Sequence, residues 1–206
     1  MPISFPVDIQ TLYVTGGKDK TIFYPQVTRM QNQTLENFIN QSIVQETQAL
    51  INQQVAEMPT TVAEMLGSFE IKNNQLNVLS LSLTNYTYHD KAAHGMTYIR
   101  SLTFDLVDGT HCSLEDLFKP GSNYIERLSD IIKAQIRERE IQLINEFTAI
   151  HPNQDFYIAD KALVIYFQLY DITPYVFGFP MFPISVYEIQ DIIKEDGPLG
   201  RMAENN

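Results

Sequence analysis

The sequence predicts an α+β fold: antiparallel sheets with packed helices, divided into two small, closely associated subdomains. Three observations lead there. A helical pattern over 34–55 precedes a run of strand-like alternation from 76 to 106. An amphipathic helix opened by Asn123 and Glu126 then precedes apolar strands at 156–167. Across 206 residues the chain is 44% apolar and holds 11 Tyr and 12 Phe, which is ample core for one large domain or two small ones. The expected division is a lead-in over 1–20, subdomains over 21–90 and 91–195, and a tail over 196–206.

The lead-in is poorly patterned, and Gly16-Gly17 turns the chain into a short strand, Thr21-Ile22-Phe23-Tyr24-Pro25, which proline is expected to stop. Thr34 is the expected N-cap of the first helix. Leu35, Phe38, Ile39, Ile43, Leu50 and Ile51 form its discontinuous apolar face, and Pro59 sets the following segment in extended form. Phe69-Glu70-Ile71, a turn at Asn73-Asn74 and the alternating run over 76–88 read as a hairpin. Leu79, Leu81 and Leu83 lie on odd positions but Tyr86 and Tyr88 on even ones, so a bulge or face change is expected between them.

Tyr98, Leu102, Phe104 and Leu106 mark a third strand, ended by Asp108-Gly109, a pair suited to a tight turn. Ser113 and Asp116 nearly match a capping box and predict a short helix that Pro120-Gly121 breaks. Tyr124, Leu128, Ile131, Ile132 and Ile136 then fall on one face of a longer helix. Phe156-Tyr157-Ile158 leads to a turn at Asp160-Lys161, and the run over 163–167, apolar on both faces, predicts a central strand. A last helix is expected over 186–194, followed by a frayed polar tail.

Composition excludes several function classes. Twenty-five acidic against 14 basic residues give a net charge of −11, which leaves no counterion-releasing patch for nucleic acid and favours basic partners. The single cysteine, Cys112, excludes a disulfide-stapled mini-domain. No run of apolar residues is long enough to span a membrane, and the first residues carry no basic and apolar leader. The expected location is extracytoplasmic, at the cell envelope, if a leader was removed, and cytoplasmic if Met1 is the native start.

No residue pattern reads as a catalytic centre, a metal site or a cofactor site. Thr103-Phe104-Asp105 with Asp108-Gly109 superficially resembles the Thr-Phe-Asp-Asp-Gly element of polysaccharide deacetylases, but two residues separate the aspartates. His89, His94, His111 and His151 lack short zinc-ligand spacing. His111 and Cys112, as neighbours on an extended segment, point to opposite faces and make no nucleophile pair. His94 reads as a structural group whose ring bonds to backbone, with Gly95 allowing an unusual φ. Recognition is placed instead on 174–183, where Pro174, Tyr175, Phe177, Phe179, Pro180 and Phe182 combine proline stiffness with aromatic anchors. The competing reading tucks these rings under the sheet as core.

Ala93-His94-Gly95, Phe104-Asp105-Leu106, Asp108-Gly109, Leu114-Glu115-Asp116-Leu117-Phe118, Tyr124, Tyr170-Asp171-Ile172-Thr173-Pro174-Tyr175, Gly178 and Pro183-Ile184 together resemble the RsiV-like family, the C-terminal domain of the extracellular part of anti-sigma-V factors. The preceding part, from Tyr24-Pro25 through the strand over 76–88, resembles the companion domain found ahead of it and ahead of some peptidoglycan deacetylases. The resemblance implies a non-enzymatic envelope module and, in anti-sigma-V factors, a receptor for lysozyme, a basic protein. Wall glycan is the other partner it implies. Lys91 and Ala92 stand where the family usually has glycine, and Cys112 where a plainer residue is usual. A wall-glycan hydrolase or transferase with scattered carboxylates, and a soluble intracellular relative, are the competing functional classes.

Overall fold

A computed structural model describes residues 5–204. Its first layer is a six-stranded sheet in sequential order: β1 (Asp8–Thr15), β2 (Lys20–Thr28), β3 (Val62–Gln75), β4 (Val78–His89), β5 (Met96–Asp105) and β6 (Thr110–His111). All neighbours are antiparallel except β2 and β3, which run parallel over Lys20–Ile22. Gly67 permits that contact, since a Cβ there would lie 2.3 Å from the Ile22 side chain. Helix α1 (Gln33–Ala56) covers one face.

The sequence of α1 explains its seat. Leu35, Ile39, Ile43, Thr47, Leu50 and Gln54 recur every three or four residues and are its buried positions. Leu35, Ile39, Ile43 and Leu50 meet Leu79, Leu81, Leu83 and Phe104 in one apolar cluster; each such Leu or Ile contributes about 1.5–3 kcal/mol by leaving water. The cap is Asn32 rather than Thr34: its side-chain oxygen accepts from the Leu35 amide at 3.1 Å.

Strand β1 occupies the described part of the lead-in, and β2 runs through Pro25 to Thr28. Proline is tolerated there because the β3 partnership ends at Ile22, leaving β1 as the neighbour beside it. The first hairpin turns at Leu76-Asn77, with φ of 50° and 56°, not at Asn73-Asn74. Two successive positive φ values fit the two-residue turn that right-twisted strands favour. Asn74 instead exchanges hydrogen bonds with the Val7 backbone.

The expected bulge in β4 is absent: its register against β3 and β5 runs unbroken past Leu83–Tyr86, and the irregularities lie in β3. Odd positions keep facing α1, but beyond Leu83 they are polar. Asn85 and His89 are buried around Gln54, whose amide donates to the Asn85 and Met96 carbonyls. Tyr86 and Tyr88 share the opposite face with Ser80 and Ser82.

The second layer is a three-stranded sheet, β7 (Phe156–Ala159), β8 (Ala162–Tyr166) and β9 (Met181–Ser185), with β8 central. Helices α2 (Tyr124–Glu138) and α3 (Pro198–Ala203) belong to the same core, through Leu128, Ile132, Leu199 and Met202 among others. The expected helix after Ser113 is a single 3₁₀ turn, Glu115–Leu117, and only the Asp116 half of the capping box forms, accepting from the Ser113 amide at 2.8 Å.

Two corrections fall at the C-terminus. Over 186–194 the apolar residues have helical spacing, but only Val186–Glu188 forms a 3₁₀ turn. The backbone beyond it is claimed by residues 117–119: Lys119 N–H donates to Ile192 and Lys194 N–H to Leu117. The supposed frayed tail is α3, seated by fully buried Leu199 and Met202.

Polar side chains fix the second sheet on the first. The Ile158 amide donates to Ser80 Oγ, which also bonds Thr103. Ser101 reaches the Phe156 carbonyl and the Tyr166 hydroxyl. Gln168 behaves as a strand partner for the open edge of β5, accepting from Ile99 N–H at 3.1 Å and donating to Ile99 C=O at 2.7 Å. Arg201 of α3 donates to the Leu76 and Asn77 carbonyls and to the buried Asp105 carboxylate at 2.7 Å. The sheet of the first four strands continues through β5 and β6, across the 90/91 position.

Candidate binding surface

The 174–183 segment divides. Thr173 is fully buried and holds its start, then Tyr175–Phe177 forms a 3₁₀ turn closed by Gly178 at φ 79°. Pro174, Val176 and Phe177 face solvent, Val176 at 93% exposure, while Tyr175 and Phe179 are half-buried. Beyond that the segment enters the sheet. The Pro180 carbonyl accepts from Phe167 N–H, and Phe182 is fully buried, edge-on to Phe167 with the Arg139 guanidinium over its ring. Pro180 and Phe182 are therefore core, not contact residues. Pro183 sits in the outer strand β9 opposite Val164, where an edge accommodates a residue without an N–H.

The exposed half meets two regions distant in sequence. The His94 ring lies 4.5 Å from the Tyr175 ring and accepts or donates at Nε2 to the Tyr170 hydroxyl, 3.2 Å away; Tyr170 and Tyr175 are 5.5 Å apart. The His94 Nδ1 sits 2.9 Å from the Gly95 carbonyl, the expected ring-to-backbone contact, and Tyr175 donates its hydroxyl to the same oxygen at 3.1 Å. Gly95 is needed for room rather than for an unusual φ: a Cβ there would come within 2.2 Å of the Tyr86 ring.

Tyr86 leads onto the outer face of the first sheet. It is paired with Leu66, and Tyr88 with Glu64. The second sheet covers this face near Ser80, Ser101, Thr103 and Ile99 and sets Tyr157 under Lys72, while Tyr86 lies next to Gly95, whose carbonyl Tyr175 reaches. Burial, then the Glu64 carboxylate and the Tyr175 and Tyr88 rings, raise the Tyr86 pKa. The surface is thus built on the mutual contacts of the His94, Tyr170 and Tyr175 rings, with Tyr86 beside Gly95 and acidic Glu64 and Asp171 at its margin. Such rings offer large contact area at small entropic cost, and acidic margins favour cationic partners. Of its members, the sequence singled out Tyr175 and Phe177 by composition; Tyr86, Tyr88, Tyr170 and His94 needed the pairing of strands to be seen together.

The remaining titratable candidates have structural roles. His89 is buried, with Nε2 2.8 Å from the Gln54 carbonyl. His111 packs against Phe104, and burial lowers its pKa. Cys112 is buried and its thiol is pushed up to about 11. Burial raises the Asp155 pKa, but the carboxylate accepts from Gln168 Nε2 at 2.7 Å; Asp171 accepts from the Gln168 amide. Among the described residues no group of three His, Cys, Asp or Glu side chains could hold a metal ion.

Comparison with known proteins agrees with this architecture. Residues 18–97 match the family described as deacetylase PdaC, and residues 115–187 match DUF3298, a protein family of unknown function. The anti-sigma-V factor RsiV of Bacillus subtilis is 25% identical over 181 residues, covering 82% of this chain and 63% of that protein. The peptidoglycan-N-acetylmuramic acid deacetylase PdaC of the same organism is 25% identical over 144 residues, covering 60% and 30%. The chain thus spans less than two thirds of either relative. Crystal structures of DUF3298 family proteins from Bacteroides fragilis and Pseudomonas aeruginosa share the fold, with TM-scores of 0.71 and 0.69, identities of 16% and 14%, and at least 98% of each chain covered.

Proposed function

Because the chain carries an RsiV-like DUF3298 domain behind a PdaC-like companion domain, we propose that it is a non-enzymatic binding or sensor module of the cell envelope, resembling the ectodomain of an anti-sigma factor. Its partner is a basic protein such as lysozyme. The observation that carries this reading is the exposed aromatic surface formed where the Tyr175–Phe177 turn meets His94 and the outer face of β3 and β4. The net charge of −11 supports a cationic partner, whose approach such a field accelerates. Pro174, Tyr175, Phe177 and Phe179 remain the contact residues, joined by Val176 and Tyr170.

Calorimetric titration of the chain with hen lysozyme at low and physiological salt tests the proposal. Saturable heat that weakens as salt rises is the expected result. Heat seen only with soluble wall-glycan fragments would replace the protein partner with a carbohydrate one. Release of product from those fragments would overturn the non-enzymatic reading.

A further inference from the structure

The edges of the two sheets are treated unequally. Strand β6 is two residues long, β7 is four, and β9 carries Pro183. The open length of β5 is occupied by Gln168 at Ile99. Short strands, proline and covering side chains are the usual means of preventing edge-to-edge pairing. Strand β1 has none of them. It is eight residues long, contains no proline or lysine, and pairs with β2 in unbroken register from Asp8 to Thr15. Among the described residues no strand lies on its other side. Every second residue of an outer strand turns its N–H and C=O away from the sheet.

Exposed apolar side chains also lie beside that edge. Tyr13 is 65% exposed and its ring lies 5.9 Å from Phe23, itself 45% exposed; Val14 is 43% exposed. We propose that β1 pairs antiparallel with β1 of a second copy of this chain, joining two sheets into one and covering Tyr13 and Val14.

Charge selects this occupant. In a chain of net charge −11, β1 holds a single charged residue, Asp8, so the two copies meet where their mutual repulsion is least. A twofold antiparallel pairing must centre on one residue, and centring on Thr11 or Leu12 uses the full strand. In either register Asp8 falls beside the Val14–Gly16 end of the other copy, next to the turn bearing exposed Lys18 and Asp19, with half-buried Lys20 opening β2 behind it. Within one copy, Asp8 pairs among the described residues with Arg29, 3.4 Å away and largely exposed. A parallel pairing would set Asp8 against Asp8.

Sedimentation equilibrium of the full chain, beside Thr11→Lys and Thr11→Cys variants, tests the proposal. Thr11 is exposed, so neither substitution disturbs the fold, which far-ultraviolet circular dichroism verifies. The expected result is a wild-type dimer whose dissociation constant rises at least tenfold in Thr11→Lys, where two added charges meet near the twofold axis. Thr11→Cys should form a disulfide-linked dimer under mild oxidation, while the wild type, whose only cysteine is buried, does not. A wild-type monomer at all concentrations, or a dimer unchanged by Thr11→Lys and not linked by Thr11→Cys, would overturn it.

Discussion

Two halves of one segment, 174–179 and 180–183, have the same proline-rich aromatic composition and opposite environments. Val176 is 93% exposed, whereas Phe182, six residues on, is fully buried. The difference is a strand partner. From Met181 the chain pairs with β8, and alternation sends Phe182 and Ile184 inward while Pro183 stays outside. Before Pro180 there is no ladder, so Tyr175 and Phe177 are held by a 3₁₀ turn, and the Tyr175 ring by His94. Composition marks a segment as unusual, but pairing decides which of its rings are core and which are available to a partner.

The sharpest way to break the comparison is Phe182→Ala. Loss of a fully buried ring, with its edge contact to Phe167, should destabilise the fold by about 3–5 kcal/mol, read as a lower midpoint in urea denaturation. Next is Arg201→Ala, which leaves the buried Asp105 carboxylate and two turn carbonyls without their guanidinium. It should cost about 3 kcal/mol and loosen the seat of the second sheet on the first. Gly95→Ala should cost about 1–3 kcal/mol, because the new methyl group must displace Tyr86. Unlike the first two it acts directly on the aromatic surface, so partner affinity should fall more than its melting temperature suggests. At the other end, Val176→Ser should change stability by no more than about 0.5 kcal/mol.

Much of the architecture was legible in the sequence because periodicity and turn residues agreed with the final packing. The α2 face and the Asp160-Lys161 hairpin carry local signals strong enough to stand alone, whereas on α1 the pattern named exposed Phe38 and passed over buried Thr47 and Gln54. What was hidden depended on partners far along the chain. Strand β1 lacks an alternating apolar pattern because its outer edge and much of its surface are open. Helix α3 is too short to show a period, and its seat is given by Leu199 and Met202 meeting a core assembled from distant residues. The 186–194 helix failed because residues 117–119 compete for its backbone. Within the candidate surface, composition pointed to Tyr175 and Phe177, but only the fold brings Gly95, and with it Tyr86, to Tyr175.

Asp155 offers a subtler test of the junction between the sheets. Burial raises its pKa above the ordinary 3.8, so the folded state holds a proton more readily than the unfolded chain. Its ionisation therefore subtracts stability as pH rises from that ordinary value through the raised one, and the cost is constant at higher pH. Asp155→Asn should flatten this part of the stability–pH curve; its amide oxygen can still accept from Gln168, while the Arg100 ion pair at 3.9 Å is lost. A steeper curve in the variant would assign the proton uptake elsewhere.

The most direct test of the central claim is calorimetric titration of wild type and a Val176→Ser, Phe177→Ser double variant with hen lysozyme under identical low-salt conditions. The account predicts saturable heat with wild type and at least a tenfold weaker affinity for the variant, with both proteins melting at the same temperature. Undiminished binding by the variant, or no heat with wild type, would contradict it.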